Sequence, residues 1–135
     1  MRILALDLGE KRIGVALSDV LGWLATPLTV LKCKNIEAVL AAIEELVRAH
    51  QVDQVIVGYP RSLNGTIGPQ AKRVDRFVAQ LRARLQVPVI LWDERLSTAQ
   101  AERLIHETGK SVPRERIDAL AAAVILQSYL DAARQ

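Results

Sequence analysis

Cysteine is almost missing from this chain of 135 residues, where Cys33 stands alone. One cysteine can form neither an intrachain disulfide nor a cysteine-based zinc cluster. Cys33 therefore reads as a small, partly buried apolar residue. No apolar run reaches the roughly 20 residues of a membrane span. The opening Met1-Arg2-Ile3 is charged too early for a secretory leader. Low-complexity tracts and internal repeats are also lacking. These absences point to a protein of the reducing cytoplasm with no membrane role. Histidine is scarce too, and His50 and His106 sit in polar helical contexts that suit surface or helix-end positions better than metal ligation.

What is present is ordinary for a globular protein, with 50% hydrophobic and 24% charged residues. The length suits one compact domain over residues 1–135, able to bury a core without covalent staples. The net charge of +3 and pI near 9.4 are compatible with a polyanionic partner without demonstrating one.

Apolar patterning gives the element order. Arg2 to Asp7 is nearly continuous in apolar residues, as in a strand buried on both faces. A tight turn at Gly9-Glu10-Lys11 leads to a second strand over Arg12 to Ser18. A third strand covers Thr26 to Leu31. Asn35 caps a helix reaching about His50, with Ile36, Val39, Leu40, Ile43, Leu46 and Val47 at helical spacing. Strands follow at Gln54 to Gly58 and Val87 to Trp92. Between them Pro69 opens a helix whose stripe includes Val74, Phe77, Val78 and Leu81. Ser97 and Gln100 form a capping box for a further helix that stops at Gly109. A last helix runs from about Arg114 to Ala133. Short early connections favour antiparallel pairing, and helical crossovers favour parallel pairing. The sequence thus predicts an α/β fold with a mixed five-stranded sheet, three antiparallel strands then two parallel, flanked on both faces by helices.

Three carboxylates stand out. Asp7 ends the most buried strand, where a carboxylate needs a partner or a job; capping the Gly9 turn is one such job, and catalysis is another. Glu94 ends the last strand beside Asp93, and alternation sends the two to opposite faces. A surface ion pair with Arg95 also accounts for Glu94. Asp118 lies in the first turn of a strongly apolar helix, on the face of Ala121, Ala122 and Ile125. A helix-dipole interaction explains an acid near a helix start but not its inward register, whereas a bound cation explains both. Oxygen donors of this kind select magnesium or manganese over zinc, and two such ions can serve phosphodiester hydrolysis.

Candidate substrate contacts surround these acids. Arg61, Asn64 and Gly65 lie in a polar loop after a strand and could grip phosphates. Lys11, Arg12 and Arg95 could add phosphate contacts. Lys72, Arg73, Arg76, Arg82 and Arg84 fall mostly off their helix's apolar stripe, as on a solvated face.

Four ordered segments carry a family resemblance. They are Ala5-Leu-Asp-Leu-Gly-Glu-Lys-Arg-Ile-Gly-Val-Ala16 with Ser18-Asp19, Val57-Gly-Tyr-Pro60 with Asn64-Gly65, Asp93-Glu-Arg-Leu-Ser-Thr98, and Ile117-Asp-Ala-Leu-Ala-Ala122. With these the chain resembles the YqgF/RuvX family, described both as Holliday junction resolvases and as pre-16S rRNA nucleases. The resemblance implies an RNase H-like fold, with Asp7, Glu94 and Asp118 as the catalytic and metal-holding acids. It also implies a magnesium or manganese requirement and a cytoplasmic setting. The expected reaction is phosphodiester hydrolysis at the 5′ end of precursor 16S rRNA; the alternative is resolution of four-way DNA junctions. Symmetric junction cutting would favour a homodimer, for which the sequence shows no interface. Asp-x-Gly after a first strand also opens sugar kinases and actin-like ATPases, but those need two such domains. A binding scaffold without catalysis would leave inward carboxylates repelling phosphate.

Overall fold

The computed structural model describes residues 1–59, 69–93 and 114–134. Within them five strands form one sheet, β1 (Ile3–Leu8), β2 (Arg12–Ser18), β3 (Ala25–Lys32), β4 (Gln54–Tyr59) and β5 (Val89–Asp93), in the spatial order β3-β2-β1-β4-β5. β1 pairs antiparallel with β2, and β2 with β3; β1–β4 and β4–β5 are parallel. The expected mixed sheet is therefore present, with three described helices: α1 (Ile36–Ala49), α2 (Pro69–Arg84) and α3 (Arg114–Ala133). The helix expected after Ser97 lies outside the described residues.

Local chemistry sets the boundaries. Asn35 caps α1 through its side-chain oxygen, which accepts from the Glu37 and Ala38 amides at 2.9 and 3.4 Å. His50 ends α1, as its polar context suggested. Pro69 begins α2, where a missing N–H costs nothing. The β1–β2 turn closes with the Gly9 amide donating to the Arg12 carbonyl at 2.9 Å. β3 is an edge strand, and Pro27 sits in it beside a register shift between Val15 and Ala16. Proline is tolerated there because an edge leaves one row of backbone groups unpaired.

Alternation along the strands divides the core in two. Leu4, Leu6, Ile13, Val15, Val55 and Val57 face α1 and α2. Ile3, Ala5, Ala16 and Ile56 face α3, where Ala122, Ile125 and Leu126 meet them. Ala5 and Ala16 of the sheet and Ala122 and Ala123 of α3 bring the helix close to the sheet, with Ile and Leu side chains filling the rest. Its far end is fixed by polar and aromatic contacts: Gln54 donates to the Tyr129 hydroxyl at 2.9 Å, and Trp92 meets Tyr129 edge to face at 5.2 Å. Among the described residues no helix is long and apolar enough to cross a membrane.

Candidate active site

Asp7 is the penultimate residue of β1 and pairs in register with Gly14 of β2. Directly paired residues present their side chains to the same face. That face is the α3 face, because Asp7 continues the series Ile3, Ala5 and Gly14 precedes Ala16. Gly14 has no side chain, and the backbone of α3 occupies the space. A Cβ built on Gly14 would lie 1.9 Å from the Asp118 carbonyl oxygen and 3.1 Å from the Ala119 nitrogen. The glycine therefore seats α3 at the residue that carries the second acid. Asp7 and Asp118 are 111 positions apart in the chain, yet Gly14 lets the helix that carries Asp118 seat on the face and strand end of Asp7.

Asp118 lies one turn inside α3 rather than at its first residues. The dipole effect fades beyond the first turn, so it explains this acid less well than the sequence suggested. Its carboxylate is not wholly inward either: 32% of the side chain is exposed. The Arg12 Nε donates to Asp118 Oδ2 at 2.7 Å. Arg12, a candidate phosphate contact, is thus paired with a candidate catalytic acid. Parity explains this, since Arg12 precedes Gly14 by two and projects to the same face. Lys11 lies exposed at the turn.

Of Asp93 and Glu94, Asp93 alone lies within the described residues. Trp92 packs on the α3 side, whereas Asp93 pairs with Tyr59, whose ring belongs to the α1/α2 core. Asp93 is therefore turned from the face that holds Asp7. Glu94, Arg61, Asn64, Gly65 and Arg95 lie outside the described residues. Among the described residues no three metal-type side chains converge, so the described part of the site consists of Asp7, Asp118 and Arg12. Two oxygen-donor acids on one face, one already holding a cationic guanidinium, fit a hard divalent cation in chemistry and charge.

Sequence reasoning missed Gly14 and Arg73. An isolated glycine inside a strand signals close backbone approach, and that signal was available for Gly14. Arg73 reaches from α2 to the Gly9 carbonyl and ties the turn after Asp7 to the opposite face; its position off the apolar stripe gave no hint of this. Arg82 and Arg84 are also engaged, with the Val89 carbonyl and with Glu37 and Glu44, so this helix face is not simply solvated.

Comparison with known proteins identifies the class. The Thermus thermophilus RuvC structure superposes with a TM-score of 0.63 at 16% identity, covering 98% of this chain and 97% of that one. The mixed sheet with helices on both faces is thus the RNase H-like fold of the RuvC-like resolvases. The family model RuvX, described as Holliday junction resolvase, matches residues 1–132. Two relatives carry the description "putative pre-16S rRNA nuclease". One, from Moorella thermoacetica, is 50% identical, covering 97% of this chain and 95% of its own. The other, from Caldanaerobacter subterraneus, is 47% identical, covering 97% and 96%. The chain belongs to the RuvX family and is by class a nuclease, a hydrolase of phosphodiester bonds.

Proposed function

We propose that this nuclease acts on structured RNA, trimming the 5′ end of precursor 16S rRNA in the cytoplasm, with magnesium or manganese held by Asp7, Glu94 and Asp118. The observation that carries the reading is the seating of Asp118 over Gly14, on the face and at the strand end where Asp7 projects. The relatives' descriptions supply the substrate. A divalent cation, when bound, supplies Lewis acidity that activates water and neutralises charge on the leaving oxygen. The chain's own part is to hold two or three carboxylates in fixed positions around it. Arg12 steadies Asp118 and, when that carboxylate turns to a cation, is free to meet a substrate phosphate on the same face. Lys11, Arg61, Asn64, Gly65 and Arg95 are the further candidate contacts to the nucleic-acid backbone.

A second reading, resolution of four-way DNA junctions, is favoured by the description of the family model itself. It uses the same acids and would require paired active sites in a homodimer. One experiment separates the two. Purified protein is incubated with precursor rRNA, a four-way junction and plain single strands, with manganese, magnesium or chelator, alongside Asp7→Asn and Asp118→Asn. Metal-dependent cleavage of the rRNA that both substitutions abolish is expected. Metal-independent cleavage, or full activity in either variant, refutes the mechanism, and preference for the junction selects the second reading.

A further inference from the structure

On the face opposite Asp118, a cleft of about 660 Å³ opens between the start of α1 and the middle of α2. That volume falls within the roughly 300–1,000 Å³ of sites that take small molecules or parts of larger ones. Its floor is apolar and buried, formed by Leu8, Ile13 and Phe77. Among the described residues its rim is cationic, with Lys34, Arg73 and Arg76 against the carboxylate of Glu10. The side chain of Ile36, 45% exposed, stands among these charges.

The cations of α2 divide by occupation. Arg73, Arg82 and Arg84 bond to Gly9, Val89, Glu37 and Glu44. Among the described residues Arg76 and Lys34 have no side-chain hydrogen bond or ion pair, and both are exposed. Solvation alone would account for either. It does not account for both flanking one cleft with an apolar floor. The cleft also borders the turn that follows Asp7. Leu8 and Glu10, which line it, flank Gly9 immediately after Asp7. Successive residues of β1 therefore serve the two faces, Asp7 one and Leu8 the other.

We propose that this cleft holds a nucleotide of the bound strand beyond the scissile bond, its phosphate between Arg76 and Lys34 and its base against Ile36. The proposal rests on the nuclease reading. A strand passing over the β1–β2 turn would reach the cleft from the acids without leaving the surface. Charge complementarity favours a polyanion, and the openness of the rim favours a chain segment over an enclosed free nucleotide.

The test uses the full chain carrying Asp7→Asn, which binds without turnover, and a fluorescent single-stranded RNA. Adding Arg76→Glu with Lys34→Glu should weaken binding at least tenfold. It should also reduce the slope of log affinity against log salt by about 0.7, the value for one single-strand phosphate contact. Cys33 lines the same cleft and is the chain's sole cysteine, so the unsubstituted protein provides a second readout. RNA should shield Cys33 from a thiol reagent, whereas a mononucleotide or an acidic peptide at equal phosphate or carboxylate concentration should not. An unchanged salt slope with Cys33 unshielded by RNA overturns the proposal. So does shielding by the mononucleotide or the peptide but not by RNA. Cleavage of precursor rRNA by the unsubstituted protein, scored separately, shows whether the nuclease reading itself stands.

Discussion

Replacing Gly14 with alanine tests whether the seat of α3 on the sheet fixes the active site. The added Cβ would lie 1.9 Å from the Asp118 carbonyl oxygen, whereas ordinary contact begins near 3.4 Å. Relief thus requires a shift of about 3.4 − 1.9 = 1.5 Å. The obstacle is helix backbone, so no flexible side chain can swing aside. α3 must lift from the sheet, loosening Ala119, Ala122 and Leu126, which are at most 5% exposed. Overpacking a core of this kind costs about 1–3 kcal/mol, and the backbone obstacle places Gly14→Ala at the upper end. The same lift carries Asp118 away from Asp7. A misplacement of about 1 Å costs about 100-fold in rate, so metal-dependent cleavage should fall by at least that factor.

The assays are a urea titration without metal and a cleavage rate at saturating manganese, measured where the variant remains folded. Gly22→Ala is the control. Gly22 has φ of +74°, and a Cβ there would meet only the Met1 carbonyl oxygen at 3.7 Å. It should lose about 1 kcal/mol to backbone strain and keep its cleavage rate. If Gly14→Ala matches the wild type in both assays, α3 is not held where the geometry puts it, and the reasoning fails.

Arg12→Gln removes the guanidinium from Asp118. The metal-free protein should lose about 0.5–1 kcal/mol, the value of a partly exposed ion pair, and manganese should raise its Tm by more than it raises the wild type's, because the cation no longer displaces an arginine. An equal or smaller increment in thermal scans contradicts the competition. Burial pushes the Cys33 thiol above its ordinary value, while the charge of Arg73 pulls it down. Alkylation at pH 8 should therefore be slower than for a small free thiol, and slower again in Arg73→Gln; faster labelling of that variant would count against this account. In the loop joining β2 and β3, Asp19 accepts from the Leu24 and Trp23 amides, which hold its carboxyl below its usual value of 3.8. A depressed carboxylate stabilises the fold above its unfolded value and loses that contribution as pH falls through the folded one. The wild type should thus lose more stability than Asp19→Asn on acidification below about pH 4; parallel curves by circular dichroism would refute this.

Legibility in the sequence followed the range of the interactions. Asn35, Pro69 and the Gly9 turn act within a few residues, so their local chemistry announced α1, α2 and the first hairpin. Asp7 and Asp118 were visible as candidates because each sits oddly for its element. Their meeting was not, since it depends on strand parity combined with how closely a distant helix approaches. Arg12 shows the limit most clearly. Its type and position marked it as a candidate phosphate contact, whereas its pairing with Asp118, 106 residues away, is encoded by no local pattern. Asp93 shows the reverse: alternation required Asp93 and Glu94 to separate, and the Tyr59 pairing fixed which face takes Asp93.

Register is what joins the fold to the site. A slip of β1 by one residue would turn Asp7 into the α1/α2 core and Leu8 onto the α3 face. Several contacts resist it from both ends. The Ile3 amide donates to the buried Ser18 hydroxyl at 2.8 Å, and the Arg2 amide to Asp53 at 2.8 Å. At the far end the Gly9 amide closes the turn on Arg12, and Arg73 holds the Gly9 carbonyl from the opposite face. Ser18, Arg12 and Gly14 share one strand and one parity, so one alternation pins β1, supplies the partner of Asp118 and clears the seat of α3. Substitutions at Ser18 that leave no hydroxyl should therefore loosen the whole arrangement, although Ser18 lies at the other end of its strand from Arg12.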